Sequence, residues 1–520
     1  MTIEQKETVK APLTGAEYLE SLKDGREIWL HGEKIDDVTT HPAFRNSARS
    51  IARLYDALHD PRYKDILTRE TDTGNGGYTQ RFFQPDKSPA DLIKTRDAIA
   101  QWSKLTYGQM GRSPDYKASF LATLGVNSEY YGEYADNARR WYKEAQEKNW
   151  FFNHAIANPP VDRDKPIDEV SDVFIHKVGE TEEGILVSGA KMVATGAALT
   201  NYNFIAHAGA LPIPSEEYAL VFIADMSTPG IKFICRPSYE LNAAITGSPF
   251  DYPLSSRFDE NDMVIVFDNA LIPWENILIN GDVEKANSFF SESGFLHRFT
   301  FHGVTRLAVK LDFISGLLIK ALRANGTDKF RGVQANIGEV IAYRNMFWAM
   351  SDAMALNPNE GANGTVLPNI DYGLSYRVFM SDGWPRVKDI IETVVAGSLI
   401  VHPSSTNDFN NPELRPYIDK LYRGSNGIDA EEKIKVIKLL WDAIGTEFGG
   451  RHELYERNYA GNNENIRLEN LVMAQATGQA EEFEKFAQEC MDDYNLSGWV
   501  NPTWINPDDV NVTLKNKILY

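Results

Sequence analysis

Asn158-Pro-Pro-Val-Asp-Arg-Asp-Lys-Pro166 is the stretch on which the reading of the fold turns. Three prolines in nine residues remove backbone donors and fix φ, so no helix continues through it and the backbone is extended or turning. On its N-terminal side the periodicity is helical: Ile99, Trp102 and Leu105 recur on one face in a stretch poor in β-branched residues. On its C-terminal side short runs alternate with turn signals: 173–178, 184–195, 218–224, 231–235 and 263–267 read as strands. Thr181-Glu-Glu-Gly184 and Thr228-Pro-Gly230 are the expected hairpin connections. After Pro273-Trp274 the helical period returns, with Leu307, Leu311, Ile314 and Leu318 on one face and Ile434, Ile437, Trp441 and Ile444 on another. Long amphipathic helices of this kind pack as a bundle. The expected organisation is a helical domain over 1–158, an antiparallel β domain over 159–280, and a helical bundle with a tail over 281–520. The segment 357–369, rich in Asn, Gly and Pro, reads as a surface loop.

Composition narrows the function. The 520 residues are 43% apolar and 24% charged, and 53 Lys+Arg against 73 Asp+Glu give a net charge of −20. Such a chain buries a large core, and its acidic balance argues against non-specific binding to nucleic acid or anionic lipid. Two cysteines, Cys235 and Cys490, are too few for a disulfide framework, a four-cysteine zinc site or a cysteine-ligated iron–sulfur cluster. They point to a reducing cytoplasm. The N-terminal residues lack the pattern of a signal peptide, and no apolar run is long enough to span a membrane. No metal site is expected.

Familiar catalytic motifs fail on inspection. Gly74-Asn-Gly-Gly77 neither follows a strand pattern nor fits a dinucleotide or Walker loop, and reads as a turn. His452-Glu453 lacks the second histidine of a zincin, since position 456 is Glu. Gly424-Ser-Asn-Gly427 has the wrong spacing for a nucleophile elbow. Asp259-Glu-Asn-Asp262 lacks a calcium-loop pattern and reads as a solvated turn.

Three features remain. In Gly111-Arg-Ser-Pro-Asp-Tyr116, Ser at an N-cap, Pro at the first helical position and Asp in the first turn announce a helix start. Arg112 and Tyr116 flank that end, where the helix dipole favours an anionic oxygen; an ordinary capped helix with a surface ion pair is the plainer alternative. In Phe151-Phe-Asn-His154, a histidine among aromatics can accept a phenol proton near neutrality, or can be a satisfied core histidine. In 443–453, Gly449 and Gly450 beside Arg451 permit close approach to a pyrophosphate and supply charge for it, or form a helix C-cap.

The helical, β, helical order fits the acyl-CoA dehydrogenase-like arrangement, with a barrel-like β domain and a C-terminal four-helix bundle. Four motifs carry a closer resemblance: Arg112-Ser-Pro-Asp-Tyr116, Phe152-Asn-His154-Ala-Ile-Ala-Asn-Pro-Pro160, the run 246–262 beginning Thr-Gly-Ser-Pro-Phe-Asp, and Phe448-Gly-Gly-Arg-His-Glu-Leu-Tyr-Glu456. Together they resemble the oxygenase components of the two-component, FAD-dependent 4-hydroxyphenylacetate 3-monooxygenases, nearly end to end. The resemblance implies a homotetramer supplied with FADH2 by a separate NAD(P)H-dependent flavin reductase. It implies reaction with O2 to a C4a-hydroperoxyflavin and hydroxylation of a para-substituted phenol ortho to its OH. On matching positions it implies that Arg112, Tyr116 and His154 hold the phenolic oxygen, with His154 as proton acceptor. Thr195 would lie beside the flavin ring, His154 would border it, Gly449, Gly450 and Arg451 would approach the cofactor, and Arg331 would reach a neighbouring subunit's FAD. The loop containing His207, Ala208, Gly209 and Ala210 is expected to close on the far end of the substrate and shield the site from water. Chlorophenol, nitrophenol and hydroxycinnamate monooxygenases of the same family, and more remotely an acyl-CoA dehydrogenase-like flavoprotein, are the rival readings. A related dehydratase that needs a three-cysteine iron–sulfur cluster is excluded by the cysteine count.

Overall fold

The computed structural model describes residues 10–207, 212–459 and 461–501. Residues up to 460 form one compact unit and those from 461 another.

In the first unit, helix α1 (Pro89–Leu105) begins where the Ser88 hydroxyl caps the Asp91 N–H and Pro89 takes the first turn. Helix α2 (Pro114–Val126) follows, buried on every side. A helix apolar all round belongs in a core rather than at a surface. The strands of the two larger sheets are β1 (Glu27–Leu30), β2 (Glu33–Ile35), β3 (Phe152–Ala155), β4 (His176–Glu180), β5 (Gly184–Lys191), β6 (Tyr202–Ile205), β7 (Leu220–Asp225), β8 (Ile231–Cys235), β9 (Met263–Pro273) and β10 (Ile277–Asn280).

They form two open sheets, of order β2-β1-β8-β9-β5-β4 and β10-β7-β6-β3. The expected strands are all present, and Thr181–Gly184 does join an antiparallel pair. The structure corrects three details. Thr228–Gly230 is no hairpin, because β7 and β8 lie in different sheets. The sheets are mixed, since β1 pairs parallel with β8 and β3 parallel with β6. Neither sheet closes into a barrel. Strands β1 and β3 come from the segment that periodicity marks as helical. Four residues, Phe152-Asn-His-Ala155, are too few to reveal a period, and their strand exists only because Tyr202–Ile205 offers a partner.

The helices that follow the sheets include α3 (Phe295–Asn325), α4 (Arg331–Leu356), α5 (Ile370–Val395), α6 (Ala430–Ile444) and α7 (Glu447–Asn458). Leu307, Leu311, Ile314 and Leu318 are all buried in α3, as their spacing requires. The 357–369 loop carries a two-residue hairpin, and Val366 donates to the Asp86 carbonyl at 2.9 Å. The second unit holds helices Asn463–Ala476 and Gln479–Asp492 and a short hairpin, Tyr494–Asn495 with Gly498–Trp499. Among the described residues no helix is long and apolar enough to cross a membrane.

Candidate active site

The site is built on the loop before α2. The Glu260 carboxylate accepts from the backbone N–H of Gly111 (3.0 Å) and of Arg112 (2.5 Å), which fixes how the loop enters the helix. Ser113 holds the N-cap position with extended backbone, but its hydroxyl donates to Asp115 (2.5 Å) instead of capping the helix. Asp115 in turn lies 3.2 Å from the His302 Nε2 on α3.

From this entry the Arg112 guanidinium lies over the Tyr116 ring at 4.4 Å, with the Tyr455 and Tyr459 rings each 5.6 Å away. These faces attract the charge where water does not reach it. His154 stands on β3, and its ring centroid is 5.5 Å from that of Tyr116 and 5.6 Å from that of Phe295. Arg112, Tyr116 and His154 are therefore one buried cluster. Burial, reinforced by the Lys117 and Arg112 charges, pushes the His154 imidazole well below its usual range and keeps it neutral. Burial raises the Tyr116 hydroxyl, with Arg112 opposing.

Thr195 adjoins this cluster through the backbone. Its carbonyl accepts from the Asn153 side chain at 2.7 Å, and Asn153 precedes His154. Its hydroxyl donates to Asp262 at 2.6 Å. Arg451 reaches the same carboxylate through Nε (2.9 Å) and Nη2 (2.8 Å), and it touches Glu260 through Nη1 (3.3 Å). Arg236 adds a bond to Asp262 at 3.1 Å. Burial opposes the Asp262 charge, yet Arg451 and Arg236 hold its carboxyl well below the usual range. Arg451 thus arrives at the site with its guanidinium already bound to two carboxylates.

The glycines before Arg451 lie in the first turn of α7, with Thr446 capping Gly449, and are not a C-cap. A Cβ on Gly449 would come within 2.4 Å of the Ile444 backbone, so this glycine is required by packing against α6; Gly450 faces open space. Arg331 opens α4 and is exposed, and the structure does not join it to the cluster. His207 lines a cleft with Lys191, Asn158 and Tyr218, whereas Ala208, Gly209 and Ala210 lie outside the described residues. Beyond them the loop is pinned by Ile213, whose N–H donates to Asn287 at 2.8 Å.

Sequence reasoning missed several residues of this site. Asp259, Glu260 and Asn261 are buried and Asp262 is half-buried, so the segment is not a solvated turn. Asp259 pairs with Arg236, while Glu260 and Asp262 tie the 111–112 loop to Arg451. Their position at the end of the 246–262 motif was the available signal. Glu456, noted only as a missing zinc ligand, is buried against Arg306 (2.6 Å) and Lys310 (3.0 Å). Lys117 was also overlooked, although a lysine inside a helix apolar on all faces has to be buried.

The comparisons with known proteins identify the family. Residues 14–279 match the family model described as 4-hydroxyphenylacetate 3-hydroxylase N terminal, and residues 286–488 match the corresponding C-terminal model. The chain is 57% identical over 501 residues to a 4-nitrophenol 2-monooxygenase oxygenase component from Rhodococcus sp, covering 96% of each chain. It is 55% identical over 502 residues to a 4-hydroxyphenylacetate 3-monooxygenase oxygenase component from Pseudomonas aeruginosa, again covering 96% of each. A solved oxygenase component of 4-hydroxyphenylacetate 3-monooxygenase, complexed with FAD and 4-hydroxyphenylacetate, superposes with a TM-score of 0.87 at 34% identity, covering 92% of this chain and 99% of that one. With both family models and full-length relatives matched, the chain belongs to the 4-hydroxyphenylacetate 3-hydroxylase family.

Proposed function

We propose that this chain is the oxygenase component of a two-component monooxygenase that hydroxylates 4-hydroxyphenylacetate ortho to its OH. The observation that carries the reading is the convergence of Arg112, Tyr116 and His154 in one buried cluster beside Thr195. Arg112 Nη1 and His154 Nδ1 are buried and without a hydrogen-bond partner among the described residues. A phenolic oxygen satisfies both.

The residues around Thr195 fit a flavin. Val193, β-branched yet held at φ 54°, leaves its side chain 44% exposed, and there is open space beside Gly450. Thr195, the strained turn at 192–194 and the Gly450 backbone would hold the cofactor, with His154 at its border. Reduced FAD supplies the two electrons needed to place one atom of O2 on the ring and release the other as water. Arg112 and Tyr116 bind and orient the phenolic oxygen, neutral His154 accepts or donates one hydrogen bond to it, and the packed rings exclude water. Glu260 and Asp262 hold Arg112 and Arg451 in place.

The same reading takes a separate NAD(P)H:flavin reductase as functional partner, a homotetramer as the assembly and the cytoplasm as the compartment. A second substrate, 4-nitrophenol, is favoured by the relative at 57% identity. The test is to mix the protein with chemically reduced FAD, O2 and 4-hydroxyphenylacetate without reductase and to separate the products. The 3,4-dihydroxy product is expected. Hydroxylation of 4-nitrophenol alone would select the second reading, and no catechol from either would refute both.

A further inference from the structure

Lys117 has no role in the preceding account, yet it is placed at the centre of the cluster. Its side chain is fully buried in α2, and Nζ makes no hydrogen bond among the described residues. It lies 3.5 Å from the centre of the Phe295 ring and 4.3 Å from that of Tyr116. These are the two rings that the His154 imidazole contacts. Arg112, Lys117 and His154 thus surround one pair of rings, and each leaves a nitrogen unpartnered.

A buried ammonium without a counter-ion is costly, and proteins normally supply a carboxylate. None does so here. On the entry loop and α2, Glu260 is taken by Gly111, Arg112 and Arg451, while Asp115 accepts from the Ser113 hydroxyl through Oδ1 and turns Oδ2 towards His302, and makes no ion pair with Lys117. From α3 the Phe295 and Phe299 rings face Lys117, and from β3 comes His154; His302, Tyr455 and Tyr459 lie one shell further out, against Tyr116 and Arg112. Arg377 of α5 faces Phe299 from behind. The charges facing Lys117 are therefore positive or neutral. Burial and then Arg112 push its amine well below its usual range.

We propose that Lys117 is the proton acceptor for the bound phenol, an inference that rests on the phenol reading of this site. In the step, the phenolic O–H bond breaks, an N–H bond forms on the amine, and the electron pair stays on oxygen. Phenolate and ammonium then neutralise one another, and the ammonium keeps the Phe295 and Tyr116 faces as its other neighbours. An amine is intrinsically the stronger base of the two candidates, about 10.4 against about 6.5 for imidazole. His154 is further disfavoured because its burial and the fixed charge of Arg112 oppose its protonation. The consequence is specific: binding creates a phenolate and releases no proton to solution.

The experiment uses the full-length protein, held anaerobic with reduced FAD so that no oxygen is transferred. 4-Nitrophenol is added about one pH unit below its own transition. The phenolate's visible absorbance gives the ionised fraction, and binding heats in two buffers of different ionisation enthalpy give the protons released. Wild type is expected to bind the probe as phenolate with no net release. Lys117→Met is expected to lower the bound phenolate fraction at least tenfold. Lys117→Arg, which is permanently charged and cannot take a proton, is expected to bind phenolate and release one proton per site. Wild-type behaviour in either variant that folds, judged by its circular dichroism and melting, would overturn the assignment. A wild type that binds neither 4-nitrophenol nor 4-hydroxyphenylacetate would instead overturn the phenol reading on which it rests.

Discussion

Glu260→Gln removes one oxygen from the joint between the two halves of the site, and its effect is calculable. The carboxylate serves three buried donors: the N–H groups of Gly111 and Arg112 and the Nη1 of Arg451. A carboxamide offers one acceptor oxygen, and whichever way it turns, its NH2 faces at least one of these donors. An orphaned buried N–H costs about 1–3 kcal/mol, and hydrogen bonds to a charged acceptor are worth about 1.5–3 kcal/mol each. A loss of about 2–4 kcal/mol in stability follows. Because the Arg112 backbone is the part set loose, phenol affinity should fall about tenfold, corresponding to ~1.4 kcal/mol. Urea unfolding followed by tryptophan fluorescence measures the first quantity, and equilibrium binding of 4-nitrophenol the second. A stability loss below ~0.5 kcal/mol, the range of neutral surface changes, together with unaltered phenol affinity would refute the claim that Glu260 organises the site.

Glu456→Gln should be destabilising by about 3–5 kcal/mol in the same unfolding assay, since Arg306 and Lys310 are left buried without their counter-ion. Burial raises the Glu456 carboxyl, but the two cations override it and bring it down to about 2. With a folded value below the unfolded one, its contribution is present above about pH 4.5 and is lost as pH falls towards 2; a variant with the wild-type acid profile would contradict this. Burial pushes the Lys191 amine down to about 7, and Nζ donates to the Asn158 side chain (2.7 Å) and the Ile156 carbonyl (3.3 Å). The unfolded chain binds the extra proton between pH 7 and about 10, so wild type should gain stability relative to Lys191→Met over that range, by up to a few kcal/mol. Parallel pH profiles would remove Lys191 as the cause. Gly449→Ala should unfold at distinctly lower urea because its Cβ meets the Ile444 backbone. Gly450→Ala should be as stable as wild type, or about 0.5–1 kcal/mol more stable, yet bind FAD more weakly in a fluorescence titration; unchanged FAD binding would place the cofactor elsewhere.

Local signals made part of this protein legible. The Pro-rich run at 158–166, the turn chemistry of Thr181–Gly184 and the spacing of Leu307, Leu311, Ile314 and Leu318 act within a few residues, and the corresponding elements follow from backbone sterics and apolar periodicity. Ser113-Pro114 likewise located the start of α2 and with it Arg112 and Tyr116. Other features depend on partners far away in the chain. The strand containing His154 exists because β6 lies beside it, and the Thr228–Gly230 turn leads into another sheet because pairing is decided between segments. The acids at 259–262 read as solvated because charges usually are. They are withdrawn from solvent, Asp259 and Glu260 fully and Asp262 in part, because Arg236 and Arg451, the latter almost two hundred residues further on, arrive to neutralise them. Residue types and spacing determined which elements form and which side chains are available for chemistry. Which of those side chains meet, and whether Lys117 finds a counter-ion or only ring faces, was decided by tertiary packing, because burial and electrostatic pairing are properties of the surroundings and not of the segment.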